Sequence, residues 1–434
     1  MPMQIPGYYF DPEKKKYFKI EKNHTAPSSV AWSTDAVKRR KTQDQISKAA
    51  RKRTHETRRN VQRCPYFENP LYGVFERELS GPHGFRARDV RPGIWARGLL
   101  PARKTTFGRE RGDGAGVESF CVAGSAGKRV LYASTLETEL AAVRVDERHQ
   151  ARLQREQVPT PGVSKVRYHE ASGRMLVAPA MGMDQCSLTT FVPSRDARGS
   201  WLPGETPSYQ QLSMRHRVLS EWCTNALMPS SLDGTLAFLG TNQGVVQVSV
   251  QDSMRILSGK EGEQVSPKDV YALDAQKDRP NIVFAGGRKA KLWMTDLREG
   301  GWQAIRIPSA VAKVRSLNEH QVLVSGLKST LAVYDLRFSR RDWPLVRMED
   351  FRNEVHLDVG MDVSTELGVV AASHGAGLGL YSLDSGKRVK CPALDSVTLR
   401  AKEIAFHDDE LWFGMGMAVR SYTYNSLSGP ENEA

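Results

Sequence analysis

The chain has 434 residues, 40% of them apolar, five cysteines and a formal charge of +13. That length can bury a large core, and it fits either one repeat domain with an extension or two ordinary domains. The odd, scattered cysteines, none in a Cys-x-x-Cys pair, argue against a disulfide framework or zinc module. No apolar run of about 18 residues is present to cross a membrane, and MPMQIPGYYFDPEKKK lacks a stretch of signal-peptide length, so a soluble, reducing, intracellular setting is expected.

Residues 1–33 form the first piece. IPGYYFDPEKKKYFKI, residues 5–20, sets two aromatic clusters around an Asp-Pro turn, the pattern of a small hairpin. Its rings Tyr8, Tyr9, Phe10, Tyr17 and Phe18 are expected to pack within the protein, since so many exposed aromatics would be a liability on a free tail. Anchoring on a partner is the alternative.

Residues 34–69 read as a basic segment, helical or disordered. Helix formers run without Pro or Gly to residue 62, with Ser33 or Thr34 as N-cap, but Val37, Ile46, Ala49, Ala50 and Val61 make no 3.6-residue stripe. Between Lys38 and Arg63 eleven Lys or Arg stand against two acids, Asp44 and Glu56, so this stretch alone supplies +9 of the +13. The clusters Lys38, Arg39, Arg40, Lys41 and Arg51, Lys52, Arg53 suit nuclear localisation or phosphate contacts along nucleic acid; without interleaved aromatics, base stacking is not expected. A solvated linker is the plain alternative.

Residues 70–116 hold a candidate closing strand, LYGVFER at 71–77, and then a Gly-, Pro- and Arg-rich irregular linker from 78. From 117 to 426 the sequence repeats. RVLYAS, RMLVAP, TLAFLG, NIVFAG, QVLVSG, GVVAAS and ELWFG are short apolar strands with small-residue stops, anchored at Leu131, Leu176, Ala237, Val283, Leu323, Val370 and Leu411. Their separations of 45, 61, 46, 40, 47 and 41 residues are the spacing of four-stranded propeller blades. The expected fold is therefore all-β, a seven-bladed propeller with a basic, partly helical N-terminal extension; a sandwich or β-solenoid is the competing array. The 61-residue gap predicts a surface loop inserted at about Ser194 to Ser213. Only ten residues follow Tyr424, so a strand ahead of the first blade must close the ring. Residues 427–434 are read as a disordered tail.

LWMTDLR and LAVYDLR end consecutive units in one tripeptide, at Arg298 and Arg337, which lie 15 and 14 residues after their strand anchors. In a propeller the aromatic and the Asp of such a segment commonly serve packing and turn formation, which accounts for Tyr334 and Asp335. It does not account for an arginine two residues on, in these two units alone; the next unit, YSLD, has Asp384 there. A rim arginine is always charged and donates two parallel hydrogen bonds, so the pair predicts docking to a protein partner.

No catalytic constellation is present, so the protein is read as a non-enzyme without cofactor or metal. GSAGKR at 124–129 lacks the spacing and the Ser or Thr of a P-loop, GAGLG at 375–379 falls within a unit, and His374 belongs to no metal-ligand spacing.

The doubled Asp-x-Arg resembles the signature of WD-repeat substrate receptors of cullin-4 ubiquitin ligases, which dock on a DDB-type triple-propeller adaptor. IPGYYFDPEKKKYFKI is similar to the Pro-Gly-aromatic-aromatic-Asp-Pro-Glu-Lys opening of the fourth type of DDB-and-cullin-4-associated factor. The match at Tyr334, Asp335 and Arg337 is close; Thr295 departs from it, standing where the family has an aromatic residue and leaving Asp296 and Arg298 as a weaker copy. The resemblance implies a non-catalytic receptor, monomeric within its complex, with Arg298 and Arg337 on the adaptor and Asp296, Tyr334 and Asp335 in the same adaptor-binding set, the helical segment near the adaptor's cleft, and an unidentified protein cargo. The alternative is a nuclear, nucleic-acid- or chromatin-associated scaffold using the basic segment. The nucleus is the expected location, with the cytoplasm second, and no membrane partner is expected.

Overall fold

The seven apolar runs become the second strands of seven antiparallel, four-stranded sheets. The computed structural model describes residues 8–11, 14–20, 32–40, 42, 43, 45, 87–108, 116–124, 128–135, 140–145, 153–160, 162–180, 182–183, 185–215, 221–231, 235–249, 253–257, 266–338, 343–375 and 377–424. The chain divides into two compact units, Met1–Gly81 and Pro82–Ala434.

In the first unit Tyr8–Asp11 pairs antiparallel with Lys16–Lys19, joining Tyr8 to Lys19 and Asp11 to Lys16. Phe10 tilts against Tyr17 with centroids 4.9 Å apart, and Phe18 stacks on Trp32 at 4.6 Å. Residues 34–40 are helical. Ser33 starts this turn as an N-cap: its Oγ accepts from the Ala36 amide at 3.3 Å, satisfying one of the donors that a helix start leaves unpaired.

The second unit is the propeller. Blade 1 runs through Val117–Ala123, Arg129–Thr135, Leu140–Val145 and Gln154–Glu156; blade 4 through Val270–Ala275, Ile282–Gly287, Lys291–Asp296 and Gln303–Arg306; blade 5 through Val311–Ser316, Gln321–Gly326, Leu331–Asp335 and Val346–Arg347. Blades 2, 3 and 6 repeat the order from Val163, Thr224 and Met361. Second strands are buried on both faces because a neighbouring blade covers each, so they read as unbroken apolar runs rather than alternating ones. The core accordingly lies between blades: Phe284 and Leu292 of blade 4 pack with Val311, Val322 and Val324 of blade 5. Fourth strands are short and partly exposed, such as Val346–Arg347 and Arg388–Val389.

Blade 7 comprises Ile404–His407, Glu410–Met415 and Ala418–Tyr424, and its outer strand is Leu99–Thr106, paired from Leu99↔Tyr424 to Thr106↔Ala418. The closing strand therefore lies some 28 positions beyond 71–77, a stretch outside the described residues, and within the region expected as an irregular linker residues 87–97 form a helix and 99–106 a strand. Before the strand, Ala87–Arg97 is a helix despite Pro92 and Gly93. Trp95, Ala96 and Leu99 are buried with Leu367, Val369 and Leu380 of blade 6 and Leu411 and Phe413 of blade 7. That burial outweighs poor helix propensity. Gly98 makes the turn between helix and strand where a Cβ would run into the Tyr424 ring.

The insertion in blade 2 is also different from a free surface loop. Residues 192–209 connect Gln185–Phe191 to the outer strand Gln210–Arg215, which takes the end of the predicted loop into the sheet. Trp201 is buried and its Nε1 donates to the Lys128 carbonyl at 2.8 Å. Glu156 of blade 1 accepts from the Gly204 amide and from the Thr206 and Tyr209 hydroxyls at 2.8–2.9 Å, strapping the loop to the neighbouring blade.

Candidate partner-docking rim

Asp296 and Asp335 are the last residues of the third strands of blades 4 and 5, paired with Ile282 and Gln321, the first residues of the second strands. Both thus occupy one register position on one rim of the propeller. The following leucines are anchored alike: Leu297 N donates to the Asn281 carbonyl at 2.9 Å and Leu336 N to that of His320 at 2.7 Å. Each leucine is partly buried in an inter-blade cluster. The tripeptide therefore leaves the strand by the same path twice.

The arginine geometry is the same in both copies. One Asp oxygen accepts the amide of the arginine and its Nε, each at 3.0 Å, and the other accepts Nη2 at 2.7 Å. The carboxylate engages two of the five guanidinium donors and fixes the plane of the group. These side-chain bonds, led by that from Arg298, hold the Asp296 carboxyl down at about 2; Arg337 lowers that of Asp335. Both guanidinium groups stay in solvent, with 65% of the Arg298 side chain and 57% of the Arg337 side chain exposed. Exposed ion pairs contribute little to folding, so stability alone does not call for the doubled motif.

Tyr334 is not part of this surface. It is 4% exposed and packs among Val311, Val322 and Ala332. It serves the inter-blade core, the packing task of a third-strand aromatic, and so does not lie on the adaptor-binding surface where the resemblance placed it. Thr295 holds the equivalent place in blade 4, with its hydroxyl donating to the Gly301 carbonyl at 2.6 Å. In blade 6 the register position of the aspartate is Ser382, whose Oγ donates to Asp89 of the helix at 2.7 Å, so that helix occupies the equivalent spot there.

Two residues without a sequence signal extend the rim. The connection between the third and fourth strands of blade 5 carries Trp343, 84% exposed, and Leu345, 57% exposed. Trp343 lies six residues past Arg337 on the same connection, where the sequence around it, RRDWPL, has no repeat partner. Arg279, on the first loop of blade 4, adds a further exposed cation, paired with Glu319 at 3.4 Å.

Of the basic segment, Lys38, Arg39 and Arg40 fall on the helical stretch 34–40, while Lys41, Arg51, Lys52 and Arg53 lie outside the described residues. Arg40 donates to the Tyr9 hydroxyl and stacks on that ring at 5.1 Å, tying the helical stretch to the hairpin. Among the described residues no group of three or more His, Cys, Asp or Glu could hold a metal ion. The four described cysteines are free thiols; burial pushes Cys121 and Cys391 up to about 11 and Cys186 to about 12. Burial lowers His374.

The chain matches no family model. It is 26% identical over 358 residues to WD repeat-containing protein 21 of Schizosaccharomyces pombe, across 78% of this chain and 77% of that protein. It superposes on the WD40 β-propeller domain of Doa1 with a TM-score of 0.55 and 10% identity, covering 76% of this chain and 98% of that one. The second unit of the chain is thus a seven-bladed β-propeller of the WD40 fold, closed by a strand that precedes its first blade.

Proposed function

We propose that this protein is a non-catalytic interaction scaffold, and more specifically a substrate receptor that docks on the DDB-type adaptor of cullin-4 ubiquitin ligases and brings a protein cargo to it. The observation that carries the reading is the repetition of one geometry: Arg298 and Arg337, each pinned by a two-point bond to its own aspartate, exposed at the same register of adjacent blades. Pinning lowers the side-chain entropy lost on docking, which is how a surface arginine becomes an effective contact. Trp343 and Leu345 supply exposed apolar area beside it, and Trp with Arg is the usual composition of interface hot spots. The resemblance of the doubled Asp-x-Arg and of the N-terminal hairpin to cullin-4 receptors names the partner. Affinity purification with mass spectrometry, comparing wild type with the Arg298→Ala/Arg337→Ala double variant, tests it: adaptor and cullin are expected with the wild type and lost with the variant. Equal recovery from the folded variant defeats the reading.

The concentration of +9 charge between Lys38 and Arg63 supports a second reading, a nuclear scaffold on nucleic acid. Deleting residues 34–63 should then abolish salt-sensitive binding to duplex DNA or RNA while leaving adaptor binding intact. Absence of such binding in the full-length protein removes this alternative.

A further inference from the structure

The inner strands carry a second pattern, unrelated to the rim. Those of blades 1 to 5 each have an irregularity at one place, between Val117 and Ser119, Val163 and Lys165, Thr224 and Ala226, Val270 and Ala272, and Val311 and Lys313. The residues just after it therefore share one level of the axial channel: Ser119, Lys165, Ala226, Ala272 and Lys313. Blade 7 adds Glu403 to this level, its carbonyl accepting from Gly414 at 3.1 Å. Two residues further along, the next level holds Arg167, Asp274 and Arg315, with Asp362 of blade 6.

Between the cations of blade 2 and those of blade 5 stand the two alanines, and there the channel opens into a cavity of about 240 Å³ lined by Lys165 and Arg167 on one side and Lys313 and Arg315 on the other, with Asp274 of blade 4 also on its wall, where its carboxylate accepts from the Ser316 amide at 2.6 Å. The counter-charges are placed unevenly. Arg167 reaches Glu403 at 2.7 Å and Arg315 reaches Asp362 at 2.8 Å, both well paired. Lys313 Nζ is 3.8 Å from Glu403 Oε2, too far for a hydrogen bond, and Lys165 has only the longer-range fields of Glu403, Glu118 and Asp358 to oppose burial. Burial lowers both lysines, Lys313 to about 7. Two buried amines facing one cavity carry charge only at a cost unless an anion joins them.

We propose that this axial cavity is an oxyanion site, in which Lys165 and Lys313 clamp one carboxylate, phosphoryl or sulfate-like group while Arg167 and Arg315, held by Glu403 and Asp362, orient it. The dimensions suit a single such group or an acidic side chain entering along the axis, below the usual size of a drug-like pocket of about 300 Å³ or more.

The test is calorimetric titration of the full-length protein with sulfate at pH 8, in two buffers of different ionisation enthalpy, with tetraglutamate as a second probe. Sulfate does not titrate near pH 8, so any proton taken up on binding passes from the buffer onto the protein. The site is expected to take up protons as it binds the anion, because a lysine near 7 is largely neutral at pH 8 and must be filled to clamp it. Lys165→Met and Lys313→Met should each weaken sulfate at least about tenfold and reduce the uptake. Tighter binding of tetraglutamate than of sulfate identifies an acidic polypeptide as the source of the group, and the reverse order a free anion. Sulfate binding without proton uptake by the wild type, or unchanged in a folded double variant, overturns the proposal.

Discussion

Arg167 of blade 2 donates to Glu403 of blade 7 at 2.7 Å, spanning the inner strand of blade 1. The carboxylate is 4% exposed and Lys313 of blade 5 approaches its other oxygen, so one acid links three blades across the channel. Burial alone would raise this carboxyl; Arg167, then Lys313 and Lys165, hold it at about 2.

Removing that acid leaves Arg167 and Lys313 without their shared counter-charge. Glu403→Ala should lower the free energy of unfolding by about 3–5 kcal/mol in a urea titration. Because the folded pKa is depressed, the contribution is present above the ordinary carboxylate range and fades as the pH falls from about 4.5 toward 2. A loss below ~1 kcal/mol would mean that the channel charges are solvated and independent.

Lys313 titrates with the opposite consequence. Burial holds it near 7 against an ordinary value of 10.5, so above pH 7 the unfolded chain keeps a proton that the folded chain has shed. Stability therefore rises with pH in that window, by at most about 1.4 kcal/mol per pH unit for one proton. Between about pH 7 and 8.5, below the titration of ordinary thiols, Lys313→Met should flatten the slope, leaving the contribution of Lys165, which shifts the same way. Equal slopes in variant and wild type would place Lys313 in solvent.

Ring closure makes a prediction about truncation. A chain beginning at Pro82 keeps the helix and Leu99–Thr106, and should melt within about 2 °C of the full protein by circular dichroism. A chain beginning at Phe107 exposes the whole edge of Ala418–Tyr424 and the apolar surface under Trp95. Light scattering should show it aggregating. A soluble, monomeric product with an unchanged melting temperature would contradict the closure.

The parts of this molecule legible in the sequence are those where one physical demand acts alone. Second strands such as Val322 to Val324 are covered on both faces, so they had to be apolar runs, and their spacing returned the seven blades. Outer strands face solvent and carry no such pattern. Leu99–Thr106 reads as LLPARKTT, a Pro-containing edge with four basic or hydroxyl residues, and only its partner Ala418–Tyr424 makes it a strand. The helix from Ala87 was hidden by Pro92 and Gly93, since its reason to exist is Trp95 packing on blades 6 and 7. At the rim, repetition exposed Asp296, Arg298, Asp335 and Arg337, whereas burial moved Tyr334 to the core and exposure brought in Trp343, neither of which a repeat can signal. The channel lysines escaped notice because their level depends on a shared irregularity in inner strands whose sequences differ in every blade.

Contact through the exposed rim should also show in single variants. Trp343→Ala removes no buried contact, so it should leave the melting temperature unchanged within ~1 °C while weakening partner binding at least about tenfold. Unchanged binding would confine the contact surface to the arginines.

The central claim is tested most directly by titrating the purified full-length protein against the purified DDB-type adaptor and comparing wild type, Arg298→Ala, Arg337→Ala and the double variant. Both arginines are exposed and paired only on the surface, so all four proteins should share one melting temperature. Each single variant is expected to bind more weakly and the double variant by roughly thirtyfold or more. Adaptor binding by the double variant at wild-type affinity would contradict the account.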